Sequence, residues 1–422
     1  MEAYQRFIRY AVIPSASKED SDTFPSTPEQ RRIAEILIED MKEIGFTDLF
    51  LSDTGYVYGE IPATEGLEEA PPLGFISHMD TAPDASGEHV SPQIHREYDG
   101  GDVALSDTVT LAVQDFPHLP SLRGRTLITT DGSTLLGADD KAGIAEILTA
   151  CQIILSERRP HGKICVAFTP DEEVGNGAKY FDIPRLGARY AYTVDGGPEN
   201  CIEWENFNAA NAKVQIHGKS VHPGTAKDIM INALVVACEL NALLPQTERP
   251  EHTADYQGFY FLHRLSGDTT NATMEYNLRD HDARLLEERK TRVRDAAEEM
   301  NRLYGKNTVE VEITDTYGNM AEVIRRHKHL VENAKVAMIR AGLVPEEEPL
   351  RGGTDGATLS FRGLPCPNLG TGGYAYHGIF EHITAEGMEL ATKVLLELIS
   401  IYSEYRDEEV SHDLSEMKSD LL

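Results

Sequence analysis

Residues 73–81 read LGFISHMDT, a short apolar run that breaks off at His78 and, two residues later, at Asp80. Three further stretches repeat that design. LITTDGSTLLGA at 127–138 leads into Asp139-Asp140-Lys141, KICVAFTP at 163–170 into Asp171-Glu172-Glu173, and YAYTV at 190–194 into Asp195-Gly196-Gly197. The apolar runs read as strands, and helical spacing lies between them from about Lys141 to Leu155. This alternation predicts an α/β fold with a mostly parallel sheet. In open sheets of that kind the carboxyl ends of the strands line the ligand crevice. Four segments would therefore deliver one histidine and several carboxylates to one place.

Working outward, TPEQRRIAEILIEDMKEIG from Thr27 reads as an amphipathic helix. Thr27 is its expected N-cap, Pro28 comes next, Ile33, Ile36, Leu37 and Met41 form its apolar face, and Gly45 closes it. A second pattern starts near Asn211: strand AKVQIHG, helix IMINALVVACELNALL, strands GFYFLHRL and ATMEYNLRD, helix ARLLEERKTRVRDAAEEMNRLYG, strand TVEVEITDTY. That order, βαββαβ, is the ferredoxin-like arrangement. Helical spacing resumes at about 321–341, followed by RGGTDGATLSF and a last helix from about Ala385 to Tyr402. The expected organisation is a discontinuous α/β domain over 1–208 and 319–403, a smaller inserted domain over 209–318, and an acidic tail over 404–422. The tail carries charge without an apolar face, as a solvated segment does.

The chain has 422 residues, with 39 Lys and Arg against 70 Asp and Glu, a net charge of −31. Such a field repels phosphate backbones and anionic membrane surfaces, which excludes nucleic acid as a partner class. Hydrophobic residues make up 41% and charged residues 26%, so the acidity belongs to a globular protein and not to a disordered polyanion. The five cysteines are scattered without a CxxC pair, which argues against a disulfide framework or a thiolate metal site. The first residues contain no apolar core of signal-peptide length, and no run approaches the roughly 20 apolar residues of a membrane span. A cytoplasmic location and no membrane partner are expected.

Carboxylates gathered at one crevice repel one another unless a cation compensates them. One divalent metal ion, or a pair, is the economical answer, and imidazole with carboxylate suits Zn²⁺. The segments HMDT, GADDKAG, TPDEEVGNG, VDGG, HPGTAKD, RGGTDG and GGYAYHG occur in that order across about residues 1–402. They resemble the co-catalytic zinc peptidases that include carboxypeptidase G and succinyl-diaminopimelate desuccinylase.

The resemblance implies a zinc-peptidase catalytic domain holding two Zn²⁺ per subunit, with the inserted domain as a lid and dimerisation module. One ion would be held by His78, Asp139 and Asp195, the other by Asp139, Glu173 and His377. The bridging aspartate of the family lies two positions before the lysine, which selects Asp139 over Asp140. Asp80 resembles the carboxylate that orients the first histidine, and Glu172 the general base. His222, in SVHPGTAKD, resembles a lid-domain histidine that donates to the oxyanion across a dimer interface. Arg279 and Arg351 resemble arginines that bind the substrate carboxylate, and Asn271 adds a polar contact.

The activity so implied is an aminopeptidase acting on tripeptides, with small peptides as substrates and a homodimer through the lid. The alternative is a related di-zinc amidase: an N-acyl amino acid deacylase, a carboxypeptidase or a longer-peptide exopeptidase. His217 and His263 read as structural. The glycines at 352–353 and 372–373 read as turn residues, since no phosphate-binding GxGxxG pattern accompanies them.

Overall fold

The strands Leu73–His78, Ile164–Thr169 and Tyr190–Val194 are buried along their whole lengths. A strand that hides both faces has no use for alternation, which is why each reads as a near-continuous apolar run. They lie side by side and parallel with Leu73–His78 in the middle, where Phe75 pairs with Val166 on one side and Tyr192 on the other. These features belong to a computed structural model that describes residues 1–406. The acidic tail expected from 404 lies, from 407 onward, outside the described residues.

The three strands are the centre of an eight-stranded sheet. Outside them parallel and antiparallel pairs mix: Thr47–Leu51 with Val57–Ile61, Val57–Ile61 with Ile164–Thr169 and Cys201–Glu203 with Asn368–Leu369 are antiparallel, whereas Asn368–Leu369 runs parallel to Tyr190–Val194 and Glu346–Glu347 parallel to Cys201–Glu203. The sheet is therefore mixed, and the mostly parallel expectation holds for its centre. Only a five-residue turn separates Leu51 from Val57, a link that joins antiparallel neighbours and is too short for a parallel crossover.

On one face lies the helix Ala138–Glu157, which buries Ile144, Ile147, Leu148, Cys151 and Ile154. Gly143 lets it come close, since a Cβ there would collide with the Val194 carbonyl of the sheet and sit 2.9 Å from Ser77 Oγ. Tyr56, Tyr58, Ile76, Phe181 and Leu359 belong to a separate apolar cluster around the same sheet. Each such side chain contributes roughly 1.5–3 kcal/mol when fully buried. The helix Glu29–Ile44 buries Ile33, Leu37 and Met41 and ends on Gly45 at φ 112°, a left-handed C-cap. Thr27 does not cap it as expected. Pro28 already has helical angles, and the Thr27 hydroxyl donates to the Ala16 carbonyl at 2.7 Å.

The chain divides into two compact units. The first comprises Met1–Trp204, Val323–Glu348 and the chain from Leu359; the second comprises Glu205–Glu322 with Pro349–Thr358. In the second, the strands run in the order Phe259–Gly267, Asn271–Asp280, Asn208–His217, Val309–Tyr317, with every pairing antiparallel. Along Asn208–His217, Ala210, Ala212, Val214 and Ile216 point to the core and their neighbours to the other face, the period-2 signature of a one-sided sheet. The helices Ala233–Leu243 and Ala283–Tyr304 complete this core through Val236, Leu240, Val293 and Met300. Asn232 and Asp282 cap their N-termini, as these residue types do.

Residues 349–358 fall in the second unit, whereas the sequence reading left them in the first. Their polar contacts explain this. Leu350 donates its N–H to Glu205, and Arg351 donates to the Asp255 and Gln257 carbonyls at 2.7 and 2.8 Å.

Candidate metal centre

His78 ends one central strand and Asp195 follows the next, so parallel neighbours place them together. His78 Nε2 lies 3.6 Å from Asp195 Oδ1 and 2.8 Å from Asp139 Oδ1. The second oxygen of Asp139 is 3.4 Å from His377 Nε2, and that nitrogen is 2.9 Å from Glu173 Oε2. Two three-residue groups result, His78–Asp139–Asp195 and Asp139–Glu173–His377, each with its ligand atoms within 4.8 Å of one another. All five ligand positions expected from the sequence are thus brought together, with Asp139 common to both groups.

Acids that belong to neither group hold these side chains in place. Asp80 is fully buried and accepts the backbone N–H of Glu172 on one oxygen at 3.0 Å and that of Glu173 on the other at 3.1 Å. Its own carbonyl is 3.0 Å from His78 Nδ1. An Nδ1–H donated there leaves Nε2 free to take a metal.

Asp140 turns away from both groups. It accepts the Ser77 hydroxyl and, at 3.1 Å, the His78 N–H. Asp171 accepts from the Ser26 N–H and Gln30 Nε2, both at 2.7 Å, which ties the Glu172-Glu173 loop to the start of the helix Glu29–Ile44. Glu381 accepts three backbone N–H groups around Asp139. Gln30 and Glu381 do not stand out in the sequence, and Asp171 does so only as one of the acids after a strand. Asp171 had one available signal, its place directly before two functional acids.

The electrostatics are those of an anionic cluster that wants cations. Burial pushes Glu173 up to about 7 and also raises Asp195. Burial acts on Asp139 in the same direction, but hydrogen bonds from His377 and His78 outweigh it and hold that carboxyl below its ordinary value. Hydrogen bonds to Asp139 and Glu173 raise His377 to about 11. Burial disfavours a charged His78, yet Asp195 and the hydrogen bonds to Asp139 prevail and raise it well above its usual value. Protons on the two histidines thus do what metal ions would do.

The donor set fits a pair of divalent cations. It offers two imidazole nitrogens and three carboxylates, and Glu173 Oε1 is buried with no hydrogen-bond partner. A buried carboxylate oxygen without a partner is costly, and an ion would satisfy it. Three protein ligands per ion leave positions open, as in catalytic sites.

Comparison with known proteins agrees with this geometry. Residues 130–401 match the family model described as peptidase family M20/M25/M40. The chain belongs to that peptidase family. Relatives at this level include peptidase T of Clostridium acetobutylicum, 48% identical over 96% of this chain and 99% of its own length. Peptidase T of Vibrio cholerae is 48% identical over 93% of this chain and 96% of its own.

Among solved structures, an aminopeptidase PepT from Bacillus cereus superposes with a TM-score of 0.75 at 23% identity, covering 96% of this chain and 98% of that one. A dinuclear metal-binding M20 peptidase from Bacillus subtilis gives 0.65 at 15% identity, covering 95% and 98%. These two likenesses speak for the fold. Family and near-full-length relatives together make the chain a peptide hydrolase.

The remaining expected M20 residues lie in the second unit. His222 is exposed, and its Nδ1 accepts from the Gly224 N–H at 3.1 Å. Arg279 is half-buried, donates to the Ala210 and Leu278 carbonyls and lies over the Tyr317 ring. Arg351 donates to Thr253, Asp255 and Gln257 and lies over Phe207. Asn271 is exposed, with its side-chain oxygen 3.3 Å from His217 Nδ1.

Proposed function

We infer that the chain is a zinc-dependent aminopeptidase that releases the N-terminal residue of tripeptides. The observation that carries this reading is the pair of three-ligand groups sharing Asp139, in a chain whose peptidase T relatives match it nearly end to end. His78, Asp139 and Asp195 would hold one ion, and Asp139, Glu173 and His377 the other. When bound, such ions supply Lewis acidity towards the scissile carbonyl and make water more acidic.

Glu172 removes the proton of the attacking water at its carboxylate and passes it to the leaving amine nitrogen, so that one residue serves as base and then acid. Asp80 keeps Glu172 in place through its backbone N–H. His222 donates a hydrogen bond to the developing oxyanion. Arg279 and Arg351 take the C-terminal carboxylate of the substrate, where a guanidinium can offer two parallel hydrogen bonds, and Asn271 adds a polar contact.

The second unit, with its βαββαβ order, serves in this reading as a ferredoxin-like lid and as the contact of a homodimer. Exposed Phe261 and Leu265 on its edge strand Phe259–Gly267 support that role. A cytoplasmic location is supported by five free cysteines, four of them buried. No helix among the described residues is long and apolar enough to cross a membrane.

The test is product analysis by mass spectrometry on one mixture of free di-, tri- and tetrapeptides and N-acylated peptides, before and after chelation and Zn²⁺ restoration. Release of N-terminal residues from free tripeptides, lost on chelation and restored by Zn²⁺, is the expected result. Cleavage of the acylated or longer peptides instead would move the function to the related amidases. No metal-dependent cleavage would refute the reading.

A further inference from the structure

Glu381 is 2% exposed, belongs to neither ligand group, and yet binds the turn that carries their common member. Its Oε2 accepts the N–H groups of Leu136 at 2.7 Å and Gly137 at 2.8 Å, and its Oε1 accepts that of Asp139 at 3.0 Å. These amides belong to the turn that leads into the helix Ala138–Glu157, where Asp139 and Asp140 keep non-helical angles and the turn's N–H groups have no helical partner. Gly137, at φ 75°, has no side chain to serve them. Glu381 does so from 242 residues further along the chain.

The same residue also belongs to the loop that carries His377. Glu381 lies four positions after His377, and its N–H returns to the Gly378 carbonyl at 3.2 Å. His382–Thr384 follows at once as a strand, with Ile383 paired to Ile128. One carboxylate therefore joins the turn bearing Asp139 to the loop bearing His377. Two of the three members of the Asp139–Glu173–His377 group depend on that joint. His78 and Asp195 depend instead on adjacent strands.

We propose that Glu381 is a positioning residue that holds Asp139 and His377 in register and so maintains the Asp139–Glu173–His377 set as an ion-binding group. This rests on the two-ion reading above. It predicts an unequal defect: the Asp139–Glu173–His377 ion, with two members dependent on Glu381, weakens more than the His78–Asp139–Asp195 ion, which depends on it through Asp139 alone, a pattern that a general loss of stability does not produce.

The experiment is titration of metal-free wild type, Glu381→Gln, Glu381→Ala and Glu173→Ala with Co²⁺, followed by calorimetry and visible absorption. Circular dichroism of each variant serves as the folding control. Wild type should take two ions per chain. Glu381→Gln, which keeps the volume but turns an N–H₂ towards the backbone donors, should take one ion about tenfold or more weakly, the range for groups that orient metal ligands, and the other with a smaller loss. The more strongly weakened ion should be the one removed by Glu173→Ala.

Wild-type affinity for both ions in Glu381→Gln, or equal weakening of both, would overturn the inference. Should Glu381→Ala not fold, Glu381→Gln decides. A wild-type chain that takes fewer than two ions refutes the two-ion reading and this inference with it.

Discussion

Loading the metal-free protein with Zn²⁺ should release protons, and the cluster sets how many. Before metal arrives, His377 is raised to about 11 by its hydrogen bonds to Asp139 and Glu173, and His78 well above its ordinary value by the acids around it. Both imidazoles therefore carry a proton at neutral pH. A metal takes the neutral ring, so ligation displaces about one proton from each histidine. Glu173, pushed by burial to about 7, holds roughly half a proton at pH 7 and loses that too. The sum is about 2.5 protons per chain at pH 7, and any coordinated water that ionises adds to it. Calorimetry of Zn²⁺ binding in buffers of different ionisation enthalpy reads the number directly. Release of fewer than about one proton would mean that the histidines are neutral in the free protein, and would refute the account of the cluster as one balanced by protons until metal replaces them. The same shifts fix a sign for stability. A histidine raised in the folded state stabilises fully below its unfolded value near 6.5, and that contribution is lost as pH rises through the folded value. The metal-free protein should thus lose Tm between pH 7 and 10, and the loaded protein should lose less.

Other expectations follow from single residues. Glu172→Gln should leave metal stoichiometry near that of wild type and lower kcat by roughly 10²–10⁴; equal loss of metal and activity would refute the base assignment. Glu146, on the helix Ala138–Glu157, is fully buried with both carboxylate oxygens unpartnered, and burial raises it well above the ordinary range. A carboxyl so raised costs no folding stability below its unfolded value, near 4.5, and increasingly more as pH climbs towards the folded one. Glu146→Gln should therefore gain stability relative to wild type on going from pH 5 to pH 8, by about 1–3 kcal/mol, read from urea midpoints. A constant difference would refute this. Arg351→Lys keeps the charge but loses the planar fork. It should raise KM for free tripeptides by about tenfold and leave C-terminally amidated tripeptides little changed, as steady-state kinetics can show.

Some candidate ligands sit beside a local signal: His78, Glu173 and Asp195 lie at or just past the ends of apolar runs whose parallel arrangement is set by their composition. The choice of Asp139 over Asp140, and His377 altogether, rests on the resemblance to zinc peptidases. Strand direction at the sheet edges carried no such signal, since it depends on the length of connections and not on the runs themselves. The return of 349–358 to the second unit was equally hidden, because it rests on hydrogen bonds from Arg351 to carbonyls about a hundred positions earlier in the chain. Glu381 was hidden for the same physical reason. Its partners are three backbone N–H groups, and a backbone amide leaves no mark in a sequence.

That blindness bears on how so acidic a chain tolerates its own centre. Asp80, Asp140, Asp171 and Glu381 are all buried within a few residues of the ligands, and no cationic side chain is the principal partner of any of them. Each accepts backbone N–H groups: from Glu172 and Glu173, from His78, from Ser26, and from Leu136, Gly137 and Asp139. Backbone N–H groups satisfy these carboxyl oxygens while burial raises Asp140, Asp171 and Glu381, so the anchors add little charge of their own beside the ligands. A lysine or arginine in those places would pair with Asp139 or Glu173 and occupy the lone pairs a metal needs. Acids anchored on amides thus fix the geometry of the candidate ligand acids and leave the charge of those acids to the protons on His78 and His377, which divalent ions would replace.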